Sequence, residues 1–106
     1  MTDGGAPGGG DGRIEVTIEG LVQGVGFRWF VWRTAARLDV RGWVANRSDG
    51  RVEMVGEGSP AALEALVVAL RRGPPGASVS EVQVNHVPAT GRFREFEIRA
   101  GGHSGD

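Results

Sequence analysis

Residues 13–38 read RIEVTIEGLVQGVGFRWFVWRTAARL, and within this stretch the apolar period changes once. Ile14, Val16 and Ile18 alternate with Glu15, Thr17 and Glu19, the pattern of a half-buried strand. From Phe27 onward the apolar positions are Phe27, Phe30, Val31, Thr34, Ala35 and Leu38, the i, i+3, i+4 spacing of one helix face. Arg33, Arg37 and Arg41 fall on its outer side and at its end. Between strand and helix lies a seven-residue link, Gly20-Leu21-Val22-Gln23-Gly24-Val25-Gly26. A strand, a short Gly-rich loop and a helix make the first half of a β-α-β unit.

Working outward, RGWVANR (41–47) and RVEMVGE (51–57) read as short strands joined by Ser48-Asp49-Gly50, a tight-hairpin signal. Ser59 stands where a helix cap is needed, with Pro60 at the first helical position. Leu63, Leu66, Val67 and Leu70 form the buried stripe of that second helix, and Gly73-Pro74-Pro75 stops it. Val79–Val87 and Phe93–Arg99 read as two further strands. The order β-α-β-β-α-β, with an extra strand near the end, predicts an α+β ferredoxin-like sandwich, an antiparallel sheet with both helices on one face. Residues 1–12 and 101–106 are Gly-rich and carry little apolar surface, so flexible tails are expected around a domain at 13–100.

Composition narrows the function. A chain of 106 residues is one domain's worth. The net charge of −1 offers no broad attraction for nucleic acid or an anionic membrane. All twelve basic residues are arginine, which fits the codon bias of a GC-rich genome. With no cysteine there is neither a disulfide framework nor thiolate chemistry. The N-terminus lacks the basic start and apolar run of a signal peptide, and no segment has the length of a membrane span, so a cytoplasmic location is expected. His86 and His103 are isolated, which leaves no metal-ligand cluster. Glu53 and Glu57 fall at even spacing on a strand face, the pattern of a solvated sheet surface with arginine partners. Trp29, Trp32 and Trp43 read as packing residues first, with a second role in contact with an organic group beside the loop.

The loop is the chemically informative segment. Three glycines among seven residues allow several backbone N–H groups to point inward, and the following helix N-terminus reinforces such an anion cradle. Arg28, in the first helical turn, carries a planar fork suited to phosphate oxygens. The same glycines also suit a plain strand–helix turn, so the loop alone does not decide. Two better-known phosphate signatures are excluded: the chain has no lysine for a Walker A motif, and Trp29 stands where the dinucleotide fingerprint needs a third glycine. Asn46 ends the strand after the first helix. A right-handed crossover brings it to the sheet edge where Gly20 lies, ~10 Å away if one strand intervenes. Asparagine at a strand end also serves local turn hydrogen bonds, and that reading stays open for Asn46 taken alone.

Gly20-Leu-Val-Gln-Gly-Val-Gly-Phe-Arg28 followed by Gly42-Trp-Val-Ala-Asn46 closely resembles the two signature segments of the acylphosphatase family. Asp49-Gly50-Arg51-Val52-Glu53 is similar to the family's hairpin, and Gly73-Pro74-Pro75 to its bacterial members. The resemblance covers essentially all of 13–100. It implies hydrolysis of acyl phosphates, with Leu21, Val22, Gln23, Gly24, Val25 and Gly26 holding the phosphoryl group through backbone N–H groups. It further implies that Arg28 pairs with the phosphoryl oxygens and Asn46 orients the attacking water, with no metal, cofactor or covalent phospho-enzyme. A monomer is expected, inhibited by inorganic phosphate or sulfate. The competing reading is an RNA-recognition module, since Gly26–Trp32 echoes that family's aromatic strand. Helical spacing and acidic net charge argue against it. A non-catalytic anion-binding module on the same fold is disfavoured by the presence of Arg28 and Asn46 together.

Overall fold

The computed structural model describes residues 10–100. Most of the two expected tails therefore lies outside the described residues, as does His103. Among the described residues seven elements follow one another: β1 (Gly12–Leu21), α1 (Phe27–Arg37), β2 (Arg41–Asn46), β3 (Val52–Gly58), α2 (Pro60–Arg72), β4 (Ser78–Val87) and β5 (Phe96–Arg99).

The strands form one sheet in the order β4-β1-β3-β2-β5. β1 pairs antiparallel with both β3 and β4, and β2 pairs antiparallel with β3. β1 and β2 therefore run parallel with β3 between them. The sheet departs from a purely antiparallel one at a single edge, where β5 joins β2 in parallel. That strand starts at Phe96, later than the alternation from Phe93 suggests. Phe93 lies instead in the connection, with Arg13 over its ring at 5.7 Å, and the Glu95 carbonyl accepts from Gly42 N.

Both helices pack on one face. Ile14, Val16 and Ile18 of β1, Val44 of β2 and Met54 of β3 share a single core cluster with Phe27, Val31 and Ala35 of α1 and Leu63, Leu66 and Leu70 of α2. Each fully buried aliphatic or aromatic side chain of this kind stabilises the fold by about 1.5–3 kcal/mol. Phe27 also sets the direction of its neighbour. Because it is drawn into the core at the first helical position, the next residue, Arg28, turns away toward the sheet edge. α2 is capped in the ordinary way, the Ser59 Oγ accepting from Ala62 N at 3.1 Å.

The other sheet face carries charge, and one group on it is not solvated. Glu57 is 2 % exposed. Its carboxylate accepts from Thr90 N (3.0 Å), Thr90 Oγ1 (2.8 Å), Gly91 N (2.9 Å) and Arg13 Nη1 (3.0 Å). Burial pushes its pKa up, but these donors outweigh it and hold the carboxyl down at about 2. Glu57 thereby fastens the connection between β4 and β5 to the sheet.

Candidate functional site

The pairing of β1 with β4 shifts register between Glu19 and Gly20, where Ser80 of β4 is skipped, and the chain then turns through the loop into α1. Gly24 and Gly26 hold φ of 79° and 76°, the left-handed region. A Cβ at either would meet nothing within 4 Å, so backbone conformation rather than space demands glycine there. Gly26 is the N-cap of α1, its carbonyl accepting from Phe30 N at 3.0 Å. Unlike α2, α1 has no side-chain cap, and its first turn holds no acidic residue. The positive end of the helix dipole and the first-turn N–H groups are thus left without an acidic or capping side chain of α1 to answer them.

Val22, Gly24, Gly26, Phe27, Arg28, Trp29 and Asn46 line one small cavity of about 210 Å³. The loop and the helix start that follows it therefore meet the end of β2, remote in sequence, at one place. Arg28 is half-buried there, and its Nη1 donates to the Arg99 carbonyl at 2.8 Å. This leaves most of its five N–H donors for other partners. Among the described residues Arg28 makes no salt bridge, whereas Arg47 and Arg51 of the β2–β3 hairpin are both paired with carboxylates. Arg47 pairs with Asp49 at 2.9 Å, and Arg51 with Asp49 at 2.8 Å and Glu19 at 3.2 Å. Hydrogen bonds from Arg47, then Arg51, hold the Asp49 carboxyl at about 2. Asn46 lies at the last position of β2, paired with Val52 of β3.

Not every loop residue faces the cavity. The Leu21 side chain is exposed, and Val25 packs partly against the core. Gln23 turns toward the hairpin, where its Nε2 donates to the carbonyls of Arg47 (2.8 Å) and Arg51 (2.9 Å). This tie between loop and hairpin, and the Arg28–Arg99 contact, are not foreseeable from residue types. Both depend on where strand ends fall, and no local pattern marks a backbone acceptor tens of residues away. The aromatic run through Trp32 is helical, so the strand that RNA-recognition domains need is absent from this segment.

Two larger hollows, about 540 and 560 Å³, lie elsewhere. One is walled largely by aliphatic side chains such as Leu63, Val67 and Val84, and the other lies between the end of α1 and β5. Neither combines a glycine loop with a helix N-terminus. Among the described residues no three His, Cys, Asp or Glu side chains cluster as metal ligands would, and no helix is long and apolar enough to cross a membrane.

Comparison with known proteins points the same way. The acylphosphatase family model matches residues 14–98. The acylphosphatase of Salinibacter ruber is 48% identical over 87 residues, covering 82% of this chain and 92% of that one. That of Syntrophotalea carbinolica is 42% identical over 87 residues, covering 82% and 95%. The crystal structure of the Bacillus subtilis acylphosphatase superposes with a TM-score of 0.81 at 38% identity, covering 83% of this chain and 98% of that one.

Proposed function

The chain belongs to the acylphosphatase family of hydrolases, and from that premise we propose metal-independent hydrolysis of an acyl phosphate to a carboxylate and inorganic phosphate. The observation that carries this reading is the meeting of an uncapped helix start, Arg28 and Asn46 around one small cavity. Its volume suits a phosphoryl group with a water beside it, below the range of pockets that engulf whole organic ligands.

In this mechanism the backbone N–H groups of Leu21–Gly26 and the α1 N-terminus receive the phosphoryl oxygens. Arg28 forks two of them while its bond to Arg99 fixes the guanidinium plane. The Asn46 side-chain amide holds a water in line with the scissile P–O bond. The water oxygen attacks phosphorus, the bond to the acyl oxygen breaks, and its electron pair leaves with the carboxylate. The water's proton passes to a non-bridging oxygen of the phosphate itself. Among the described residues no Asp, Glu or His lines the cavity, so no side chain there offers a general base or a carboxylate for a metal. A carboxylate is a good leaving group, so positioning and charge stabilisation supply what the reaction needs.

The test is hydrolysis of benzoyl phosphate by purified protein in EDTA, with phenyl phosphate as control. Turnover of the anhydride alone, inhibited by inorganic phosphate or sulfate, is expected. Activity lost on chelation and restored by a divalent cation overturns the metal-free route.

A further inference from the structure

Resting on that reaction, we infer that Trp29 is the acyl-recognition residue of the site, an aromatic wall at the cavity mouth that selects acyl phosphates with large flat acyl groups. Trp29 belongs to neither the core cluster nor its rim, and it is 58% exposed while still lining the cavity. A single exposed apolar residue is ordinary, but Trp29 and Trp32 are both exposed and adjoin, and a contiguous apolar patch beside a polar cavity marks contact with a ligand. The ring is nevertheless held. Trp32, one helical turn on, meets it edge-to-face with centroids 5.7 Å apart. Trp32 is itself anchored, its Nε1 donating to the Phe96 carbonyl of β5 at 3.1 Å. A braced aromatic surface can receive an acyl group with little ordering cost.

The direction of the reaction supports this position. In-line displacement needs water and leaving group on opposite sides of phosphorus. Asn46, assigned to the water, lines the cavity from the sheet, and Trp29 lines it from the outer first turn of α1. A leaving group departing from the side that Asn46 does not occupy needs an apolar surface open to solvent, and among the large apolar side chains lining the cavity Trp29 is exposed while Val22 and Phe27 are buried. The small cavity has no room for an extended acyl group, so that group lies against whatever borders the mouth.

The experiment compares benzoyl phosphate with acetyl phosphate for wild type, Trp29→Ala and Trp29→Phe. The Trp29→Ala change should lower kcat/KM for benzoyl phosphate about 5- to 20-fold, the scale of a lost aromatic contact. The loss should fall on KM, because the contact exists before and during the reaction. Acetyl phosphate should change less than about twofold, and so should inhibition by inorganic phosphate, while benzylphosphonate inhibition weakens in step with benzoyl phosphate. Trp29→Phe should keep most of the preference. A benzoyl-to-acetyl ratio that stays at the wild-type value in Trp29→Ala, or equal loss on both substrates, overturns the assignment. Failure of wild type to hydrolyse either substrate overturns the proposed reaction itself, and the role of Trp29 with it.

Discussion

The guanidinium of Arg28 is tied at 2.8 Å to the backbone carbonyl of Arg99, 71 residues further along the chain. Arg99 in turn lies over the Trp43 ring at 4.7 Å, on the sheet face away from the helices. The last strand thus does more than close the sheet edge, since its final residue receives the cation that the phosphoryl group is proposed to meet. A backbone acceptor suits this purpose. It orients the fork without neutralising it, as a carboxylate would.

Arg28→Ala should therefore abolish both phosphate inhibition and turnover while leaving the fold intact, because the side chain is not part of the core. Arg28→Lys should rescue little. An ammonium keeps the charge but cannot bond Arg99 and two phosphoryl oxygens in one plane. Circular dichroism with benzoyl phosphate kinetics checks both, and near-normal hydrolysis by folded Arg28→Ala protein overturns the role.

Gln23 yields a separate expectation. Removing its amide in Gln23→Ala leaves the carbonyls of Arg47 and Arg51 without that donor, at a cost of about 1–2 kcal/mol. The loop is released from the hairpin at the same time, so phosphate inhibition should weaken several-fold. Gln23→Glu should be worse on both counts, since a carboxylate would face two carbonyl oxygens and stand near a dianion. Urea unfolding and phosphate inhibition constants measure the two effects independently. Unchanged affinity in Gln23→Ala would mean the loop holds its shape without the tie.

Glu57 makes acid stability the third expectation. Its carboxyl sits at about 2 in the folded protein against 4.5 when free, so its contribution is fully present above pH 4.5. That contribution is lost as pH falls through 4.5 toward 2, and amounts to about 3 kcal/mol from the size of the shift. Glu57→Gln keeps the shape and one acceptor oxygen but has no such pH dependence. Urea midpoints for the two proteins should be well separated at pH 7 and converge near pH 2. Parallel curves would remove Glu57 from the acid response.

These residues also mark where the sequence is legible. The change from period two to period 3.6 at Phe27 is decisive, because strand and helix bury their faces at different spacings and the core enforces that difference. The glycine loop and Asn46 can be placed near one another because a β-α-β crossover makes β1 and β2 parallel, so that both strands finish at the same end of the sheet. Glu57 reads by spacing as one of a row of charges on a solvated sheet face with arginine partners. Arg13 is such a partner, but the Thr90–Gly91 connection folds over the carboxylate and buries it. Nothing periodic in a loop announces where it will lie. Trp29 reads first as packing, since an indole in an amphipathic helix usually is, and only its angular position on α1 sets it outside the core. β5 shows the same limit: its alternation identifies a strand, but pairing partner and direction belong to the whole sheet.

Asn46 provides the sharpest separation of roles. Arg28 is assigned to hold phosphoryl oxygens in ground and transition states alike, whereas Asn46 is assigned to align water, an interaction that matters chiefly at the transition state. Asn46→Ala should therefore depress kcat by on the order of 100-fold or more while phosphate inhibition stays nearly unchanged. Asn46→Asp retains the side chain's size and can still accept a hydrogen bond from water, but it sets a negative charge in the cavity proposed to receive a dianion. Phosphate binding should then fall together with turnover. Lowering the pH toward the ordinary aspartate range protonates the new carboxyl and should restore part of the binding, whereas Asn46→Ala should show no such recovery. Phosphate inhibition constants for wild type and both variants, measured from neutral pH down to about 4, decide the matter. If Asn46→Ala loses phosphate affinity as severely as Arg28→Ala, Asn46 is a ligand of the phosphate, and the water must be aligned by the loop amides.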